Sequence, residues 1–143
     1  MPNVLIIHLQ RIIFDFNICD NRKLNTRFEF DKKLNLKEYS MKENINLKEG
    51  EILDDPEMQK YMEYDDEDFI YRLVGVVIHR GGAGRGHYWS YIRTKRGAQE
   101  PDKREEEEDF FNSVRDWKEF NDETVKFYLG KDLEKDSYGG ELT

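Results

Sequence analysis

The amino-acid sequence predicts an α+β fold: mostly antiparallel β-sheet with minor helix and two long acidic loops. Two features carry this expectation. Several short runs are rich in β-branched and aromatic residues, and the clearest of them alternate apolar with polar side chains, the period of a half-buried strand. Helical signals are confined to two short, polar stretches.

In chain order, Val4, Leu5, Ile6, Ile7 and Leu9 form an apolar run too short for a typical helix. It fits a strand buried on both faces. Leu24, Thr26, Phe28 and Phe30 fall on one side of an alternating stretch, so 24–30 reads as a half-buried strand. A short helix is expected to start near Asp31 and to run to Tyr39. Residues 70–79 (IYRLVGVVIH) give the strongest strand signal in the chain. Residues 87–93 give another, with His87, Trp89 and Tyr91 on one face and Tyr88, Ser90 and Ile92 on the other. Strands over 117–120 and 124–129 complete the sheet, and KDLEKDS at 131–137 reads as a second short helix.

Charge is unevenly spread. The 143 residues hold 31 acidic and 23 basic side chains, a net of −8. Residues 42–70 carry eleven acids and three bases, and residues 100–109 carry seven and two, so the remainder has a net of +5. These acidic stretches mark two inserts, 42–69 and 94–115, expected to be solvated and mobile. Connections beyond about 12–15 residues are uncommon inside a compact domain. The whole chain is the size of one domain, or of part of a larger one, with a lean core at 37% hydrophobic residues.

Composition also excludes functions. An acidic chain without a basic face disfavours general nucleic-acid binding. The single cysteine, Cys19, excludes an internal disulfide framework and a cysteine-rich zinc site, and it suits a reducing compartment. No apolar run approaches the ~18 residues of a membrane span. The first residues show no basic n-region or small-residue cleavage site. The expectation is an intracellular, cytoplasmic chain, with the nucleus also compatible, whose partners include neither membrane nor nucleic acid. His79 and His87 stand eight apart without a nearby cysteine, so no metal site is expected, and no cofactor is implied.

Chemistry-bearing residues cluster in HRGGAGRGHYWSY, residues 79–91. Gly81 and Gly86 have the outer spacing of a phosphate-binding loop, but His87 and Tyr88 occupy the Lys and Ser/Thr places and a strand follows instead of a helix. Arg80 and Arg85 among glycines resemble an Arg-Gly-Gly RNA-binding segment, but one copy in an acidic protein is weak. The remaining reading is a glycine loop between two strands that delivers His87 at the start of the second. That histidine is either structural or, if a neighbour orients it, a general base. Pairing 87–93 antiparallel with 115–121, Arg93 opposite Arg115, puts Tyr91 opposite Trp117 and His87 opposite Asn121, within reach of the imidazole. A histidine oriented by Asn suggests a Cys–His–Asn arrangement. Cys19, in the polar stretch FNICDNRK, lacks the setting that lowers a thiol pKa and reads as a loop thiol.

At these residues the chain resembles the ubiquitin-specific proteases, papain-like cysteine deubiquitinases also called ubiquitin carboxyl-terminal hydrolases. Five blocks carry the resemblance in order: MPNVLIIHLQRIIFD, LNTRFEFDKKLNL, the histidine box YRLVGVVIHRGGAGRGHYWSYIR, DWKEFND with Val125 following, and YGGE. The resemblance implies the palm-like half of a papain-like protease over residues 1–143, the C-terminal part of the catalytic domain. It implies His87 as catalytic base, Asn121 as third triad member and Asp122 supporting them. Gly81, Gly82 and Gly86 would border the channel for ubiquitin's Gly-Gly tail, with His79 and Tyr88 contacting that tail and the loop at about 15–23 on the other flank. The implied reaction is hydrolysis of the (iso)peptide bond after that tail. The implied partners are ubiquitin, ubiquitinated proteins and an N-terminal half of the catalytic domain. Three departures stand out. Ile12 replaces a usual Phe, Arg80 and Arg85 replace small residues, and the family's cysteine box has no counterpart in these residues. The chain alone is therefore expected to be inactive and to expose apolar surface. A non-catalytic ubiquitin-binding or scaffold module, or a protease split between two chains, is the alternative.

Overall fold

The computed structural model describes residues 2–44, 56–94 and 116–140. In chain order the strands are β1 (Ile12–Asp15), β2 (Asp20–Lys23), β3 (Lys33–Asn35), β4 (Ile70–Arg72), β5 (Gly75–Gly81), β6 (Gly86–Arg93), β7 (Trp117–Asn121) and β8 (Thr124–Tyr128). The α-helices are short: α1 (Met41–Asn44), α2 (Pro56–Met62) and α3 (Leu133–Ser137). The strand pairings among the described residues are antiparallel, in two two-stranded sheets, β1–β2 and β3–β4, and one four-stranded sheet ordered β5-β6-β7-β8. A mostly β fold with minor helix is therefore what the chain forms. No helix among the described residues is long and apolar enough to cross a membrane.

Two compact units divide the chain, one of Met1–Ile7 with Asp31–Leu73 and one of His8–Phe30 with Val74–Thr143. In the smaller, β3 pairs with β4 so that Leu34 faces Tyr71. Phe69 is its buried centre, with Tyr64 edge-on at 6.2 Å between ring centroids and the Phe69 carbonyl accepting from Leu36 N at 2.9 Å. Lys37 Nζ bridges Asp66 at 2.8 Å and Glu43 at 3.4 Å. The hydrogen bond to Asp66, the largest of several opposing influences, raises its pKa.

The larger unit is organised by its sheet. Trp117, Tyr91, Leu133 and Tyr138 are its buried apolar residues, joined by the guanidinium of Arg93. Arg93 Nη2 lies 3.6 Å from Asp116 Oδ2, and both side chains are nearly out of solvent. Tyr91 stacks on Tyr128 at 3.9 Å, and Tyr128 donates to Asp136 Oδ2 at 2.8 Å, which ties α3 to β8. The extended stretch before β3 is held by the C-terminal turn. Phe28 N donates to Tyr138 O at 2.8 Å, Gly140 N to Asn25 O at 3.0 Å, and Tyr138 OH to Phe30 O at 2.7 Å.

Several expectations need correction. Residues 4–9 form no strand, and Ile6 is 84% exposed, because among the described residues no strand offers this run a ladder. Residues 24–30 join no sheet, and only Leu24 and Phe30 are half-buried. The expected helix from Asp31 is instead β3 followed by a single 3₁₀ turn at Lys37–Tyr39. Leu34 facing Tyr71 in the β4 ladder outweighs a helical propensity that is weak over so few residues. The run 70–79 is not one strand: β4 ends at Arg72, β5 starts at Gly75, and the two join different sheets. The described part of the first insert carries α1, α2 and a 3₁₀ turn at Asp66–Phe69. Of the second insert, all but Thr94 lies outside the described residues. The helix expected at 131–137 forms as a 3₁₀ turn, Gly130–Asp132, running into α3.

The stacked pair of Tyr91 and Tyr128 makes stability pH-dependent on the alkaline side. Burial first, then the hydrogen bond to Asp136, raises the Tyr128 phenol far above its ordinary range, and burial also raises Tyr91. The unfolded chain releases these protons near pH ~10 while the folded chain keeps them. Stability is therefore full below that pH and falls as pH rises above it. In urea unfolding across that range, Tyr128→Phe should show a shallower decline than the unaltered chain. Equal declines would contradict this account.

Candidate active site

The glycine loop is a hairpin. β5 and β6 pair from Gly75 opposite Ile92 to Gly81 opposite Gly86, leaving residues 82–85 as the connection. Gly81 closes it at φ 120°, in a region that L side chains rarely adopt, and a Cβ there would lie 2.6 Å from the Arg85 carbonyl oxygen. The pairing puts Arg80 directly opposite His87 and His79 directly opposite Tyr88. Successive side chains of a strand point to opposite faces. His87 and Arg80 therefore share one face, while His79, Tyr88 and Gly86 share the other.

On the second face the His79 ring lies against Tyr88, with centroids 4.4 Å apart, and directly over Gly86. Lys23, at the end of β2, donates from Nζ to the His79 carbonyl at 2.8 Å. Burial first, then the Lys23 charge, lowers the His79 pKa, which favours the neutral imidazole. Burial and the nearby Arg11 in turn lower the Lys23 pKa.

On the first face His87 meets β7. The register there is Ser90 opposite Phe120, Tyr91 opposite Glu119 and Arg93 opposite Trp117. It is offset by two residues from the expected pairing, which set Arg93 opposite Arg115 and Tyr91 opposite Trp117. Like charges directly opposed are destabilising. The observed register instead places Arg93 beside Asp116 and buries Trp117. A two-residue offset preserves every face, whereas a one-residue slip would reverse them all. His87 and Asn121 are therefore diagonal neighbours on one face instead of directly opposed, and their side chains still meet: His87 Nε2 lies 2.6 Å from Asn121 Oδ1. Asp122 Oδ2 is 3.8 Å from the same nitrogen. Asp122 sits in the two-residue turn between β7 and β8 at φ 49°, a conformation such hairpin turns require and Asp tolerates. Trp89 stacks parallel to the His87 ring at 6.0 Å.

The amide of Asn121 is engaged at both ends, since its Nδ2 donates to Glu119 Oε1 at 3.2 Å. With Asn121 presenting its carbonyl oxygen, His87 Nε2 is the protonated nitrogen of the neutral ring, and Nδ1 carries the lone pair able to take a proton. The imidazole is 45% exposed and so accessible from solvent. Cys19 stands in the turn between β1 and β2 at φ 51°, exposed, with Sγ directed to Phe16 O at 3.6 Å. The only thiol of the chain thus bonds to its own turn. Among the described residues no cluster of His, Cys, Asp and Glu could hold a metal. The sequence-predicted residues therefore separate into a His87–Asn121–Asp122 group and a His79–Tyr88–Gly86 group on opposite faces of the hairpin. Glu119 was missed, although strand alternation places it on the face of Asn121; Arg80 was noted, but not its place opposite His87.

Close approach makes Gly86 specific. A Cβ there would stand 1.9 Å from His79 Nε2 and 2.6 Å from the Arg80 carbonyl oxygen, while Gly82 and Gly84 face open space. Gly86→Ala should destabilise the chain by about 1–3 kcal/mol, as overpacking does. Gly82→Ala and Gly84→Ala should stay within about 0.5 kcal/mol of the parent. Denaturant midpoints of the three variants check this.

Comparison with known proteins bears on the family. The family model described as ubiquitin carboxyl-terminal hydrolase matches residues 1–138. Ubiquitin carboxyl-terminal hydrolase 9Y of Homo sapiens is 30% identical over 148 residues, covering 99% of this chain and 5% of that protein. Probable ubiquitin carboxyl-terminal hydrolase FAF of Drosophila melanogaster is 31% identical over 144 residues, again covering 99% of this chain and 5% of the relative. The chain thus spans about one twentieth of the length of these relatives. The SAGA Ubp8/Sgf11/Sus1/Sgf73 DUB module bound to ubiquitin aldehyde superposes with a TM-score of 0.51 and 25% identity, over 90% of this chain and 21% of that one. A histidine–asparagine pair set on an antiparallel sheet, five sequence blocks in order and a family match across nearly the whole length lead to one assignment: the chain belongs to the ubiquitin carboxyl-terminal hydrolase family, the papain-like cysteine deubiquitinases.

Proposed function

We propose that this chain is the C-terminal part of a thiol-dependent deubiquitinase domain that hydrolyses the (iso)peptide bond after the Gly-Gly tail of ubiquitin. The observation that carries the reading is the 2.6 Å contact between His87 Nε2 and Asn121 Oδ1, which leaves Nδ1 free to exchange a proton. In this reading a cysteine from the N-terminal half of the domain loses its proton to His87 Nδ1 and attacks the carbonyl of the tail's last glycine. His87 then protonates the leaving lysine amine, and water, activated by the same nitrogen, releases the acyl-enzyme. Asn121 orients the ring, and Asp122 adds negative charge beside the imidazolium.

Gly81, Gly82 and Gly86, with His79 and Tyr88, would border the tail channel. Bare glycine walls admit two glycines and exclude larger residues, a geometric basis for selectivity. An N-terminal half as partner is supported by apolar side chains left bare in the larger unit, among them Val77 at 72% and Phe127 at 70% exposed. The single thiol supports an intracellular, cytoplasmic setting. A non-catalytic ubiquitin-binding module is the second reading, favoured by one observation: Cys19 bonds to its own turn.

In a chain carrying the family's cysteine segment together with these residues, His87→Ala should lower turnover of a ubiquitin amide reporter by roughly 10²–10⁴-fold. Asn121→Ala should lower it less, because Asn121 orients the proton carrier without carrying the proton. Full activity of His87→Ala would overturn the catalytic reading. Ubiquitin binding by such a chain, with no hydrolysis before or after substitution, would select the binding module.

A further inference from the structure

We infer that Glu119 is a positioning residue that sets the protonation tautomer of His87 by orienting the amide of Asn121. An asparagine amide has an accepting end and a donating end of nearly the same shape, so by itself it can turn either way towards an imidazole. A carboxylate can only accept. Glu119 Oε1, 3.2 Å from Asn121 Nδ2, takes the donating end and turns the carbonyl oxygen to His87 Nε2 at 2.6 Å. That oxygen in turn requires a hydrogen on Nε2, which places the lone pair on Nδ1.

The relay is a consequence of strand geometry. Glu119 and Asn121 are two residues apart on β7 and share a face, so the carboxylate reaches the amide without any turn of the backbone. The pairing holds Glu119 between Tyr91 on β6 and Lys126 on β8. Asn121 and Glu119 are both half-buried, which limits the competition of water for the amide. Without Glu119 the amide is free to present its NH₂ end to the ring. That end needs an unprotonated Nε2, and it would move the proton to Nδ1, the nitrogen the proposed reaction needs bare.

The inference rests on His87 as the proposed base for its catalytic meaning, but its test needs no turnover. The chain has three histidines, so long-range proton–nitrogen correlation of the ¹⁵N-histidine-labelled protein above the imidazole titration range reads the His87 tautomer directly. In the unaltered chain Nε2 should be pyrrole-like and Nδ1 pyridine-like. Glu119→Ala should shift His87 Nδ1 towards the pyrrole-like position while leaving the His79 signals in place as a check on folding. Glu119→Gln, whose side-chain oxygen still accepts, should largely restore the original tautomer. In an Asn121→Asp background, where both oxygens accept and no orienting is needed, Glu119→Ala should change nothing. An unaltered His87 tautomer in Glu119→Ala overturns the inference, and so does equal disturbance by Glu119→Ala and Glu119→Gln.

In a catalytically competent chain, Glu119→Ala should lower kcat on the order of tenfold with KM unchanged. This is far less than the ~10⁴-fold loss when a serine protease triad is locked in the wrong tautomer. A tautomer shift with undiminished kcat would support the relay and count against His87 as the base, so the two readings fail separately.

Discussion

Burial of Trp117 opposite Arg93 fixes the register between β6 and β7, and with it which side chains of the two strands meet. The indole is fully withdrawn from solvent, and the guanidinium beside it is withdrawn almost as far. A buried charge of that kind is tolerable only with a partner, which Asp116 supplies at 3.6 Å. These residues fasten the strands at the end of the ladder away from His87. The site at the other end inherits its alignment from them, because a period of two leaves no intermediate register in which side chains still fall on their proper faces.

The two faces of the β5–β6 hairpin carry different chemistry. One presents His87 with Asn121, Asp122 and Glu119, a run of polar groups within 2.6 to 3.8 Å of one another. The other presents His79 lodged over Gly86 and against Tyr88, with Lys23 holding its carbonyl. The second arrangement is steric, and the first is the one to which the proposed reading assigns the handling of a proton. Arg80 adds a fixed positive charge on the neighbouring strand, directly opposite His87.

Much of this was legible in the residues. The alternation of 87–93 put His87 on one face with Trp89 and Tyr91, and the sheet keeps it there. Parity alone brought Asn121 to that face, which is why a register wrong by two residues still joined the right pair. The short helix at 131–137 was equally plain. Residues 4–9 and 24–30 misled because an apolar or alternating pattern reports a preference for burial or extension, and a strand also needs a neighbour to complete its hydrogen bonds. Residues 31–39 misled differently. Their spacing suits a helix, but Leu34 finds Tyr71 far along the chain, and that contact decides for a strand.

The sequence by itself determined the class of fold, the family and the residues able to handle a proton, because these follow from local periodicity and from side-chain chemistry in a fixed order. Tertiary structure alone decided the register of β6 on β7, the break of 70–79 into two strands of different sheets, the splitting of the glycine-loop residues between two faces and the contact of Glu119 with Asn121. Each of those rests on which distant groups are buried together or hold opposite charge at a few ångströms, and such energies are defined only once the chain has brought the groups into contact.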